Sequence, residues 1–168
     1  QCPLVGTGME KITAESSGQV IVSKGEGVVQ SVDSDQITVL YDNGKKAIYP
    51  VVTFTRGNQA TCFLQRVMVV KGQRVKKGDL LADGTSTNEG ELALGHNLLV
   101  GYLSWQGFNF EDAVVLSSRL VREDKFSSVH IETFTMDVRD TKLGPEMVTP
   151  DIPNVGEARL KDLDTEGV

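Results

Sequence analysis

The chain has 168 residues, 39% of them apolar and 24% charged, an ordinary globular composition with enough length for one domain or two small ones. Its apolar runs are too short to cross a bilayer and no signal-peptide pattern opens it, while the scattered Cys2, Cys62, His96 and His130 lack the tight spacing of a zinc site. A net charge of −6 argues against DNA or RNA binding by the chain alone, because phosphate neutralisation supplies most of such affinity.

In chain order, the opening Gln1-Cys2-Pro3-Leu4 has no initiator Met, as expected of a processed terminus or of a segment from something longer. Strand signals then dominate. Gln19 to Val22, Gly27 to Val32 and Gln36 to Tyr41 are short and rich in β-branched residues, with Gly25, Asp33-Ser34-Asp35 and Asp42-Asn43-Gly44 as punctuation. Asn43-Gly44 is a hairpin signal, since both residues tolerate positive φ, and Lys46 to Pro50 is the return strand. Strands this close together predict a small antiparallel barrel or sandwich. A second β group runs from Thr61 through Val70 into Lys71 to Gly84, where turns alternate with short strands. Thr85 to Gly90 reads as an exposed polar loop, and apolar strand signal returns at Asn97 to Leu103 and Ala113 to Leu116. One short helix is predicted over Ser118 to Lys125, capped by Ser117. Ser128 to Phe134 alternates like a half-buried strand. Beyond Val138 prolines and glycines favour loops, with a helical turn or two over Glu157 to Leu163.

Several stretches invite a chemical reading. Gly6-Thr7-Gly8 and Gly25-Glu26-Gly27 lack the spacing that makes backbone amides converge on a phosphate, so they read as turn glycines. The cations of Lys71 to Lys77 read as a solvated hairpin face before a phosphate contact. More pointed is Trp105-Gln106-Gly107-Phe108-Asn109-Phe110-Glu111-Asp112, in which aromatic residues surround a glycine and two adjacent carboxylates precede an apolar strand. Such carboxylates must be solvated, paired or near a cation, and divalent ions that neutralise a triphosphate prefer oxygen ligands. On a strand, neighbouring side chains face opposite ways, so one acid would face an ion, directly or through water, while the other orients a partner. Residue chemistry alone favours a solvated turn here. Arg139 to Glu146 is a charged loop that either grips a partner or saturates its own charges.

Seven blocks change the balance: Pro3 to Glu10, Thr55 to Gln59, Gly78 to Gly84, Gly90 to Gly95, Gly107 to Asp112, Arg139 to Glu146 and Asp151 to Glu157. Together and in this order they resemble the β subunit of bacterial-type multisubunit RNA polymerases over nearly the whole chain. One departure is visible, a glycine at Gly57 where serine is expected in many relatives.

The resemblance implies a mostly β fold: small β-barrel or barrel-sandwich hybrid modules plus part of a double-psi β-barrel, with one short helix. Residues 1–95 would form the hybrid module, and residues 96–168 would contribute to the catalytic double-psi barrel and lead toward the flap. Glu111 and Asp112 would be auxiliary acids near a second Mg²⁺ and the incoming nucleotide, with the main metal site supplied by the partner β′ subunit. Asn109 and Phe110 would shape that turn, and Arg56 and Arg139 would make structural or subunit contacts. Implied partners are the β′ and α subunits, the remainder of β, DNA template, RNA and ribonucleoside triphosphates, with no membrane. The location would be the cytoplasm at the nucleoid, or a plastid. An acidic segment is compatible with this, because several subunits would build the basic channel and carboxylates near magnesium make a locally negative surface. The chain alone would be inactive. The alternative is a non-catalytic β-barrel scaffold or regulator-docking module. Val75 to Leu81 resembles the hairpins of lipoyl and biotinyl carriers, but no Met-Lys pair stands at its tip.

Overall fold

β-Branched residues at alternate positions form strands when one face finds an apolar partner, and the clearest case is the block from Gly27 to Pro50. The computed structural model describes residues 1–168, which divide into two compact units, Gln1–Glu132 and Thr133–Val168. The first unit contains α1 (Glu10–Ser16), β1 (Ile21–Val22), β2 (Gly27–Val32), β3 (Gln36–Tyr41), β4 (Lys46–Pro50), β5 (Thr55–Arg56), β6 (Cys62–Phe63), β7 (Arg66–Val67), β8 (Arg74–Val75), β9 (Leu80–Asp83), β10 (Thr87–Asn88), β11 (Glu91–Leu92) and α2 (Ser118–Arg122). The second contains β12 (Asp140–Thr141), β13 (Gly144–Pro145) and α3 (Glu157–Leu160). No helix is long and apolar enough to cross a membrane.

The fold is mostly β, as expected, but its sheets are open. A four-stranded antiparallel sheet in the order β4-β3-β2-β8 and a three-stranded one in the order β1-β9-β7 share one core: Val29, Ile37, Val39, Tyr49, Val51, Val69, Val75, Leu81 and Ala82. The remaining strands form two-stranded pairs, β5-β6, β10-β11 and β12-β13. Gly27 lies between Tyr41 and Val75 in the ladder, and a Cβ there would stand 2.2 Å from the Leu40 carbonyl oxygen. Only glycine allows the three strands to meet at that point.

The β3–β4 hairpin forms where expected, by a different turn. Gly44 alone takes positive φ (79°), and the Asn43 side chain accepts the Lys45 N–H at 2.9 Å. This is a three-residue connection with glycine in the left-handed position. A polar knot ties the β1–β2 loop to this sheet: the Tyr49 hydroxyl accepts the Lys24 N–H at 2.8 Å and pairs closely with the Tyr41 hydroxyl. Burial, and then that hydroxyl pairing, push the Tyr41 phenol above its usual pKa.

Four expectations are corrected. An unexpected helix, α1, follows the turn glycines Gly6 and Gly8. The loop expected at Thr85 to Gly90 contains β10 and the turn that joins it to β11, with Thr87 buried. Asn97 to Leu103 and Ala113 to Leu116 are not strands: no neighbouring edge pairs with them, and Leu99 and Tyr102 are almost fully exposed. Ser128 to Phe134 contributes a single antiparallel bridge, Thr61 with His130. The helix capped by Ser117 is present but shorter, with the Ser117 hydroxyl accepting the Arg119 N–H at 3.3 Å.

Candidate functional site

The acidic pair sits on two consecutive turns rather than at the start of a strand. In the first, the Phe108 N–H donates to the Trp105 carbonyl at 2.9 Å, and both central residues, Gln106 (φ 49°) and Gly107 (φ 79°), have positive φ. In the second, the Ala113 N–H donates to the Phe110 carbonyl at 3.2 Å, with Glu111 at φ 55°. A glutamate in that left-handed position costs about 1 kcal/mol or more of backbone strain. Asn109 joins the two turns. Its side-chain oxygen accepts the Trp105 N–H at 2.8 Å, and its side-chain nitrogen donates to the Leu103 carbonyl at 2.6 Å.

Glu111 and Asp112 are both exposed, as are Trp105, Phe108 and Phe110 around them. The opposite-faces argument for the acids therefore falls away, because neither residue lies in a strand. The chain contains no group of three or more His, Cys, Asp or Glu side chains arranged to hold a metal. Two adjacent carboxylates offer oxygen ligands of the type that Mg²⁺ accepts alongside water and phosphate oxygens, which suits an auxiliary position and not a complete site.

The two arginines separate. Arg56 has a structural contact: its Nε donates to the Ile131 carbonyl at 3.0 Å, beside the Ile131 N–H to Ala60 carbonyl bond at 2.8 Å, so it ties the β5–β6 hairpin to the chain around His130. In the second unit, Arg139 enters its hairpin through its backbone, donating N–H to Glu146 Oε2 at 3.3 Å and accepting the Glu146 N–H at 2.9 Å. Its side chain is exposed.

Two features answer other readings of the sequence. The amides of Thr7 and Gly8 do converge on an anion, the chain's own Glu10, at 2.6 and 2.9 Å. The Thr7 amide above all holds that carboxyl below the usual glutamate value. Thr7 and Glu10 have the spacing of a capping box but do not cap α1, whose N-cap is Met9 without a side-chain bond. The basic hairpin is a solvated face, with Lys71, Lys76 and Lys77 exposed and Arg74 paired with Asp42 at 2.6 Å.

One polar cluster went unseen. Asp83 is fully buried at the end of β9, where one carboxylate oxygen accepts from the Thr87 hydroxyl and the other has no partner. The Thr87 hydroxyl in turn accepts the Gly84 N–H at 2.7 Å. Gly57 is also buried, and a Cβ there would meet the Thr61 hydroxyl at 2.4 Å and the Phe63 ring at 2.7 Å. The serine expected in relatives therefore requires the Thr61 and Phe63 side chains to move.

Two open sheets with a shared core, together with apolar segments that lack sheet partners and a turn displaying two acids, make this a β-rich module. Residues 22–168 match the family described as "RNA polymerase Rpb2, domain 6", and the chain belongs to that family. It is 55% identical over 166 residues to the DNA-directed RNA polymerase subunit beta of Chloroflexus aggregans, covering 99% of this chain and 14% of that protein. The corresponding subunit of Syntrophus aciditrophicus is 50% identical over 175 residues, covering 100% of this chain and 13% of the relative. That of Alkaliphilus oremlandii is 52% identical over 167 residues, covering 99% and 14%. The chain thus spans about one seventh of the length of these relatives, and the family expected from the motif blocks is the one matched.

Proposed function

We propose that the chain forms part of the catalytic core of a DNA-directed RNA polymerase, in the cytoplasm or a plastid, and supplies auxiliary acids for template-directed RNA synthesis. The observation that carries this reading is the strained Glu111 turn, which displays two exposed carboxylates within a block matched by the family. In the assembled enzyme the RNA 3′ oxygen would attack the α-phosphorus of a ribonucleoside triphosphate in line. Bound Mg²⁺ would neutralise the phosphate charge, held chiefly by the β′ subunit. Glu111 and Asp112 would hold water or oxygen ligands of the second ion and orient the triphosphate; they transfer no proton in this scheme.

The unpaired apolar sequence at Asn97 to Leu103 and Ala113 to Leu116 supports a related proposal. Further β polypeptide would cover it and complete a double-psi barrel, and the α and β′ subunits, DNA and RNA would bind the finished assembly. The self-contained core beneath β2, β3 and β9 favours a scaffold role for the preceding module alongside this one.

The test is Asp112→Ala in the full-length subunit, assembled into polymerase. Nucleotide addition should slow and its Mg²⁺ requirement should rise, with assembly intact. Elongation kinetics unchanged across a Mg²⁺ titration would remove the assigned role. The chain alone, given template and nucleotides, should extend no RNA.

A further inference from the structure

We infer that Asn109 is a positioning residue whose side-chain amide, bridging the Trp105 N–H and the Leu103 carbonyl, sets the place of the Glu111–Asp112 carboxylates. This rests on the reading that those acids serve nucleotide addition. Asn109 is partly buried between exposed neighbours, and it is the joint between the turn ending at Phe108 and the turn beginning at Phe110. Its two bonds, at 2.8 and 2.6 Å, need one acceptor and one donor on the same planar group. Among side chains of this length only an amide provides both at neutral pH. The direct backbone bonds here are longer, 3.3 Å from the Phe110 N–H to the Gly107 carbonyl and 3.2 Å across the second turn. Without the amide, the left-handed Glu111 backbone loses the anchor immediately before it, and the carboxylates move relative to the chain they follow.

The chemistry of one substitution gives a signature that general loss of structure does not. In Asn109→Asp the ionised carboxylate still accepts the Trp105 N–H, but it sets an oxygen against the Leu103 carbonyl. Protonation returns one O–H donor and restores the bridge. Near neutral pH the new carboxyl stays ionised, so Asn109→Asp should impair nucleotide addition nearly as much as Asn109→Ala does, although it keeps the size of asparagine and its acceptor.

The experiment uses full-length subunits assembled into polymerase and measures single-nucleotide addition against nucleotide and Mg²⁺ concentration. Asn109→Ala should lower the rate roughly tenfold to a hundredfold, the scale of a small misplacement of reacting groups. It should also raise the Mg²⁺ requirement. Combined with Glu111→Gln and Asp112→Asn, it should add little to the loss those two cause, since residues acting through one another are non-additive. Normal kinetics for Asn109→Asp, or full additivity in the combined variant, would overturn the inference while leaving the role of the acids intact. If the acid pair variant alone keeps normal kinetics, the proposed function fails, and the positioning role fails with it.

Discussion

Replacing Glu111 by glycine separates backbone strain from side-chain chemistry. Glu111 has φ 55°, inside the left-handed region that costs a residue with a Cβ about 1 kcal/mol or more and glycine almost nothing. Greater freedom of glycine in the unfolded chain offsets part of the gain, so Glu111→Gly should leave stability unchanged or raise it by up to about 1 kcal/mol. The same change removes one of the two displayed carboxylates. If that acid contributes about 1.4 kcal/mol to the transition state, nucleotide addition falls about tenfold at fixed Mg²⁺. Two assays check this: thermal unfolding of the 168-residue chain, and single-nucleotide addition by polymerase carrying the substitution, titrated with Mg²⁺. An enzyme with a lower melting temperature and normal kinetics would refute the reasoning. The turn would then be held by contacts of the Glu111 side chain and would serve no chemistry.

Four other outcomes follow from the fold. Gly27→Ala should destabilise the sandwich by about 3 kcal/mol, since its Cβ meets strand backbone at 2.2 and 2.7 Å; Gly44→Ala, with positive φ but open space, should cost only about 1 kcal/mol, and chemical denaturation compares the two. Thr87→Val should cost about 3 kcal/mol by stripping the only donor from the buried Asp83 carboxylate, while Thr87→Ser should stay within about 1 kcal/mol in the same assay. The neutral Tyr41 phenol is favoured by folding, so its contribution is whole below the usual value of 10.0 and is lost as pH rises through the higher folded value; a melting curve against pH should fall there, and less so in Tyr41→Phe. The Glu10 carboxyl has the opposite sign: its contribution is present above the usual 4.5 and is lost as pH falls through the lowered value, which amide exchange at Thr7 and Gly8 should register.

The strands from Gly27 to Pro50 were legible because their pairing is local. β-Branched alternation sets which face turns inward, Asn43-Gly44 closes the hairpin, and neighbours in sequence are neighbours in the sheet. α1 was hidden because Gly6-Thr7-Gly8 draws attention to its glycines, and its start carries no capping side chain: Met9 stands at the N-cap. Asn97 to Leu103 misled for the opposite reason. Its apolar residues suit a strand, but a strand also needs an edge to pair with, and none of the sheet edges of this chain pairs with it.

At the site, residue types and motif order were enough to single out Asn109, Phe110, Glu111 and Asp112 and to indicate the family. Backbone geometry was not accessible that way. The left-handed Glu111, the bonds of the Asn109 amide to residues four and six positions earlier and the Thr87–Asp83 bond across four residues are conformations of short turns that residue types alone do not fix. Composition and local pattern are properties of neighbouring residues, so they can be read along the chain. Which edge is paired, which acid is buried and which is displayed are decided by contacts far apart in sequence, and those exist only once the sheets have packed.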